Sequence, residues 1–299
     1  MSKRLVFFGN ERLVSGLRST DAPVLRGLIE RGYDIVAVVA NYEAGTSRSA
    51  RKLEVAEVAA EHGIPLFTPD RPSDILDELA ALTPDAAVLV AYGRIVPQRV
   101  IDLFSEVGIV NIHPSLLPRH RGPTPIESTI LDGDTEAGVS LMKITAGMDE
   151  GPVYAQARLQ LTGHETKFEL YDALSDLGAK LLFDTLPGIL ENQVEAVSQQ
   201  TDGVSVTSLI SKADGILDPT TDTAHALERK VRAYLGFPKS KLHLQNNDVV
   251  VTSAKVVESL TAGHLVVTCS ENTYLEVTGL VGPSGKTMSG EAYLRGYAA

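Results

Sequence analysis

Short apolar runs that alternate with helix-like segments constrain this chain more than any other feature of its sequence. Leu5 to Gly9 and Asp34 to Ala40 read as buried strands, and the segment between them reads as a helix with Asp21 as N-cap and Gly32 as its stop. The unit then repeats. Lys52 to Glu61 predicts a helix ended by Gly63, Pro65 to Phe67 a short strand, Pro72 to Leu82 a further helix and Ala86 to Val90 a fourth strand. A helix from Pro97 to Leu103 precedes a fifth strand, Gly108 to Ile112, which runs straight into His113-Pro114. Near-continuous apolar strands separated by helices are what a parallel sheet covered on both faces requires. The expected fold class is therefore α/β, with a doubly wound, mostly parallel, Rossmann-like sheet.

Further along, Thr124 to Leu131 predicts a helix, and Val139 to Lys143 and Val153 to Leu161 predict strands. Thr166 and Glu169 have the spacing of a capping box, opening a helix at Lys167 that runs toward Leu190. Residues 191–207 are polar and aperiodic, and read as a linker between a first domain at 1–190 and a second domain at 208–299. That second part offers a helix over Asp222 to Ala233 and then short strands at Leu242 to Leu244, Val249 to Val251, Leu265 to Thr268 and Tyr274 to Thr278. Such close spacing suggests a small, five-stranded, OB-like open β-barrel.

Composition narrows the setting. A chain of 299 residues with 43% hydrophobic and 22% charged residues can bury a substantial core. One cysteine, Cys269, excludes an internal disulfide framework and fits a reducing compartment. No signal peptide is evident, and no apolar run approaches the roughly 20 residues of a membrane-spanning helix, so a cytoplasmic protein with no membrane partner is expected. The net charge of -11 argues against general nucleic-acid binding, and DNA in particular is not expected. A monomer is expected.

Residues two apart in a strand point to the same face, so Asn111 and His113 can share one pocket while Ile112 packs opposite. In open α/β sheets the ligand crevice lies at the carboxyl ends of the strands, where this tripeptide should fall. An amide donor can stabilise a carbonyl oxygen that gains negative charge, and an imidazole can exchange protons near neutral pH. Asp149, in the glycine-flanked Gly147-Met148-Asp149-Glu150-Gly151, offers a carboxylate to orient that imidazole or bind a relay water. Alone, each of these residues has an ordinary structural reading: a strand end with a satisfied histidine, and an Asx turn.

Three other motifs fail on spacing. Gly282-Pro283-Ser284-Gly285-Lys286-Thr287 would need a glycine at Leu280 to be a phosphate loop, and reads instead as a turn before a terminal helix. Phe8-Gly9-Asn10 lacks the Gly-X-Gly-X-X-Gly dinucleotide fingerprint. His113, His120 and His164 lack zinc-ligand spacing, and no metal is expected.

Val110-Asn111-Ile112-His113-Pro114-Ser115-Leu116-Leu117-Pro118-Arg119-His120-Arg121-Gly122, followed by Ala137-Gly138-Val139 and Met148-Asp149-Glu150-Gly151-Pro152, closely resembles the folate-dependent formyltransferase family. The resemblance implies formyl transfer to an amine from 10-formyltetrahydrofolate, with Asn111, His113 and Asp149 as the catalytic residues. It also implies that Ser115, Leu116, Leu117 and Pro118 contact the folate. The segment Ala91, Tyr92, Gly93, Arg94 and Ile95, with Lys143 to Met148 and Gly147 among them, would wall the pterin pocket. From Ile210 to Asp218, Arg229 to Tyr234 and Pro283 to Met288 the tail resembles the C-terminal module of family members that act on methionyl-tRNA. That implies charged initiator tRNA as the acceptor and makes Arg48, Arg51, Lys52, Arg229, Lys230 and Arg232 candidate tRNA contacts. Each could equally be a solvated helix face. Two alternatives stay open: an amino-sugar nucleotide as acceptor, which suits an acidic surface, or a non-catalytic folate- or nucleotide-binding protein.

Overall fold

The computed structural model describes residues 3–14, 20–41, 53–104, 107–244 and 247–297. Five parallel strands form the heart of the first domain: β1 (Arg4–Gly9), β2 (Asp34–Val39), β3 (Leu66–Phe67), β4 (Ala86–Val90) and β5 (Ile109–His113). Two antiparallel strands, β6 (Glu136–Lys143) and β7 (Val153–Gln160), extend it, giving the order β3-β2-β1-β4-β5-β6-β7. The doubly wound expectation holds. β1, β4 and β5 are buried along nearly their whole length, as strands covered on both faces must be.

The helices are α1 (Pro23–Glu30), α2 (Glu54–Glu61), α3 (Leu76–Ala81), α4 (Gln98–Ile101), α5 (Pro125–Asp132) and α6 (Lys167–Leu190). The capping box opening α6 is formed: Thr166 N–H donates to Glu169 Oε2 at 2.8 Å, and Glu169 N–H reaches Thr166 Oγ1 at 3.4 Å. The helix expected from Pro72 splits into a 3-10 turn, Pro72–Ile75, and then α3.

The start of α1 departs from expectation. Asp21 does not cap it; Ala22 occupies the N-cap position with φ 48° and no side-chain bond. Instead Glu11 caps the helix from a distance, its Oε2 accepting from Val24 N–H and its Oε1 from Leu25 N–H, both at 2.9 Å. Burial pushes the Glu11 carboxyl up from 4.5 to about 7, against the two amide bonds that favour its anion.

The second domain is a curled antiparallel sheet of β8 (Ser240–Leu244), β9 (Asn247–Val257), β10 (Val266–Thr268), β11 (Tyr274–Val281) and β12 (Thr287–Ser289). β10 and β12 share one edge of β11 end to end, and β9 and β8 follow on the other side. Helices α7 (Ala224–Ala233) and α8 (Gly290–Tyr297) complete a separate core around Leu227, Val231, Leu275 and Tyr293. Helix α7 packs against α5, docking the domains. Under this contact Lys167, fully buried, donates to Phe237 O at 2.9 Å and lies 3.5 Å from Glu127 Oε1.

Residues 191–207 lie on the first domain. Val197 exchanges two backbone hydrogen bonds with Val153, and the segment pairs again with Arg121 through Ser205 and Thr207.

Candidate active site

The carboxyl end of β5 carries the candidate chemistry. Its parallel pairing with β4 sets Asn111 against Leu89, and its antiparallel pairing with β6 sets Asn111 against Met142 and His113 against Ser140. Both side chains leave the same face and are nearly buried. Asn111 keeps 6% of its surface exposed, and its side-chain amide offers two donors and an acceptor.

His113 is held at one ring nitrogen and faces a carboxylate with the other. Nε2 lies 2.9 Å from His120 O, and since a carbonyl can only accept, Nε2 carries a proton. Nδ1 then faces Asp149 Oδ2 at 3.7 Å, beyond a direct hydrogen bond but within reach through one water or a substrate proton. The loop after β6 thus brings Asp149 to the imidazole. Asp149 adopts φ 52°, a left-handed conformation that costs an L-residue, and its Oδ2 is fixed by Gly122 N–H at 2.7 Å. Gly122 has φ 105°, and a Cβ there would meet Thr207 O at 2.8 Å. A Cβ at Gly151 would meet Lys143 O at 1.8 Å, so only glycine lets the loop return to β6 so closely.

The residues expected to hold folate divide into two groups. At the turn after β4, Ala91 and Gly93 have positive φ, Ile95 is 86% exposed, and Arg94 Nε donates to Asn41 Oδ1 at 2.8 Å. Tyr92 corrects the expectation for its side chain: it points down into the core, edge-on to Phe8 at 5.4 Å, and burial pushes its hydroxyl up to about 12. Gly147 and the half-exposed Met148 lie in the Asp149 loop, where a Cβ on Gly147 would meet Glu150 Oε2 at 2.4 Å. Ser115, Leu116, Leu117 and Pro118 are pinned elsewhere. Ser140 Oγ donates to Ser115 O at 2.7 Å and accepts from Leu117 N–H at 3.1 Å, while Gln156 Nε2 donates to Leu117 O at 2.9 Å. These four line a cavity of about 750 Å3 beside β6 and β7 that includes neither Ala91 to Ile95 nor the Asn111, His113 and Asp149 side chains.

The basic residues fare differently from a free stripe. Arg229 Nη1 reaches Asp132 O at 3.5 Å, Arg232 Nη1 donates to Glu165 O at 2.8 Å while pairing with Glu228, and Lys230 pairs with Asp222 at 2.7 Å. Arg229 and Arg232 therefore bridge the two domains, because α7 turns that face toward α5 and the start of α6. Arg48, Arg51 and Lys52 lie outside the described residues.

Among the described residues His120, Asp132 and Asp134 have ligand atoms close enough for a cation, but Arg119 Nη2 already hydrogen-bonds both aspartates. Burial opposes ionisation of Asp134, yet the bonds from Arg119 and His120 outweigh it and hold its carboxyl below the ordinary value.

Sequence reasoning missed Gln199. Its Nε2 donates to Asp149 O at 2.7 Å and Gly151 O at 2.8 Å, and its Oε1 accepts from Arg121 Nε at 3.0 Å and Nη2 at 2.8 Å. A polar segment without periodicity gave no signal for it.

Residues 11–186 match the family model described as formyl transferase, and residues 209–298 the one described as formyl transferase, C-terminal domain. The chain belongs to the formyl transferase family. It is similar to the methionyl-tRNA formyltransferase of Chloroflexus aggregans, 34% identical with 99% of this chain and 98% of that one covered. The methionyl-tRNA formyltransferase of Myxococcus xanthus is 38% identical over 79% of this chain and 73% of its own. In fold this transferase is similar to the Helicobacter canadensis N-formyltransferase solved with folinic acid and dTDP-3-aminofucose, with a TM-score of 0.70, 18% identity, and 93% and 99% coverage. The folate-type formyl donor expected from the sequence fits this family.

Proposed function

We propose that this chain transfers the formyl group of 10-formyltetrahydrofolate to the α-amine of methionyl-tRNA, with Asn111, His113 and Asp149 carrying the chemistry. The observation behind this reading is the meeting of His113 Nδ1 with Asp149 across 3.7 Å, on the face that Asn111 shares. Attack of the amine on the formyl carbon drives charge onto the carbonyl oxygen, which the Asn111 amide and a protonated His113 Nδ1 can bind. As the tetrahedral centre collapses, the carbon–nitrogen bond to the folate breaks. The amine then loses a proton and the folate nitrogen gains one, and His113 with Asp149 shuttles that proton. Nε2, committed to the His120 carbonyl, leaves Nδ1 as the side that exchanges protons.

The acceptor is assigned to methionyl-tRNA on the resemblance over nearly the whole chain to relatives of that name. Arg48, Arg51 and Lys52 stand in the sequence between Asn41, which Arg94 of the turn after β4 holds at 2.8 Å, and the start of α2, and they are the basic residues of that segment. We assign the tRNA phosphate contacts to those three and leave Arg229 and Arg232 to the domain junction. Incubation with the formyl donor and charged initiator tRNA should yield formylated tRNA. Its KM should rise steeply with salt, whereas an amino-sugar nucleotide acceptor would show little salt dependence. Formylation of an amino-sugar nucleotide but not of the charged tRNA would overturn the acceptor, and binding of folate without formyl consumption would overturn the activity.

A further inference from the structure

Residues 197–207 cross the surface next to the catalytic face as a strap fixed at two points. At one end Val197 exchanges hydrogen bonds with Val153 at 2.8 and 2.9 Å. At the other, Ser205 O accepts from Arg121 N–H at 2.9 Å and Thr207 N–H donates to Arg121 O at 2.7 Å. Between these anchors residues 197–200 and 203 line one side of the 750 Å3 cavity. Ser198 and Gln200 are exposed there, but Gln199 turns inward.

Every polar atom of the Gln199 amide is used, and on two different loops. Both hydrogens go to carbonyls of the Asp149 loop, those of Asp149 and Gly151, and the oxygen takes two hydrogens from Arg121. Arg121 in turn lies 3.6 Å from Glu150, and its neighbour Gly122 donates to the Asp149 carboxylate. On the far side of the imidazole the same strap acts again, since Ser205 Oγ accepts from the N–H of His120, whose carbonyl holds His113 Nε2. Asp149 sits in a left-handed conformation, and such a residue keeps its place only where its surroundings over-determine it.

We infer that Gln199 is a positioning residue for the reaction: its amide ties the Asp149 loop to Arg121 and so sets the gap between the Asp149 carboxylate and His113. This rests on the His113–Asp149 relay proposed above. The geometry is specific to an amide. A glutamate could still accept from Arg121 but would present oxygens to two carbonyls, and an alanine would lose all four bonds.

The test compares Gln199→Ala and Gln199→Glu in the native and the Asp149→Asn backgrounds. In the native background both should lower kcat by about 10- to 100-fold, leave KM for the formyl donor within about threefold, and displace the acid limb of the pH–kcat profile. In the Asp149→Asn background the same changes should alter the residual rate by less than about twofold, because the group they position is gone. Normal kcat in Gln199→Glu would overturn the proposal, since anchoring of Arg121 alone would then suffice. A full additional loss on top of Asp149→Asn, or a fall in melting temperature with unchanged turnover of the folded enzyme, would do the same. Should Asp149→Asn itself keep native turnover, the relay reading fails first, and that result is distinct from failure of the strap.

Discussion

Two buried pairs in this molecule bring a carboxylate to a nitrogen base at nearly the same separation. His113 Nδ1 and Asp149 Oδ2 are 3.7 Å apart at the end of β5, and Lys167 Nζ and Glu127 Oε1 are 3.5 Å apart at the domain junction. They differ in access. Asp149 keeps 17% of its side chain exposed, whereas Glu127 keeps 3% and Lys167 none. At the junction burial pushes the Glu127 carboxyl up and the Lys167 ammonium down, each shift opposed by the partner's charge. Among the described residues Glu127 Oε2 has no hydrogen-bond partner. The sealed pair can do nothing with its proton except fix how α5, α6 and the second domain fit. The open pair has a ring nitrogen and a carboxylate oxygen facing a common gap, which is what proton transfer to a substrate needs. Distance alone would not have told the two apart.

The largest effects should fall on the open pair and touch rate alone. His113→Asn should lower kcat by about 10² to 10⁴, and Asn111→Ala by about 10² to 10³, with melting temperatures close to native. Steady-state assays beside thermal unfolding check this; native turnover in either variant would remove the distinction drawn here.

The sealed pair should answer in stability. Lys167→Met leaves Glu127 buried and uncompensated and frees the Phe237 carbonyl, so unfolding free energy should drop by about 3–5 kcal/mol. The folded enzyme's kcat should stay within about threefold of native. Adding Glu127→Leu should recover most of the loss in denaturant titrations, because a buried pair replaced on both sides strands no charge. A double variant no better than the single would show that the Phe237 bond, and not the charge pair, matters.

Glu11 sharpens the contrast, as a sealed carboxylate with helix amides in place of a base. Its folded-state value, about 7, lies above the ordinary 4.5, so protonation favours the folded chain. The stabilising contribution is complete below 4.5 and is lost as pH rises through about 7. Glu11→Gln mimics the protonated form. The native-minus-variant stability should therefore fall by about 2–3 kcal/mol between about pH 4.5 and about pH 8, read from urea melts. Parallel curves would mean that the two amide bonds cancel the effect of burial.

The smallest effect belongs to a pair that is mostly exposed. Lys180 and Asp184, one turn apart on α6 at 2.6 Å, are 76% and 62% exposed. Asp184→Asn should change stability by less than about 0.5 kcal/mol. A larger change would show that exposure is a poor guide to what these pairs contribute.

What the sequence determined by itself lies within a few residues along the chain. Alternation of apolar runs and helices set the doubly wound sheet, and Thr166 with Glu169 marked the start of α6 to the residue, because both signals are local hydrogen-bonding and packing periodicities. The pairing of Asn111 with His113 on one face was legible for the same reason, since a strand repeats every two residues. The resemblance to a family added Asp149, which no local rule could tie to the imidazole. Only the tertiary structure decided the rest. It set Glu11 in place of Asp21 at the start of α1, turned Tyr92 into the core, and used Arg229 and Arg232 to join the domains. It also folded a polar segment over the site so that Gln199 meets a loop 50 residues earlier in the chain. Each of these partners is chosen by how sheets, helices and domains stack, and a hydrogen bond between distant segments leaves no period in the sequence for a reader to find.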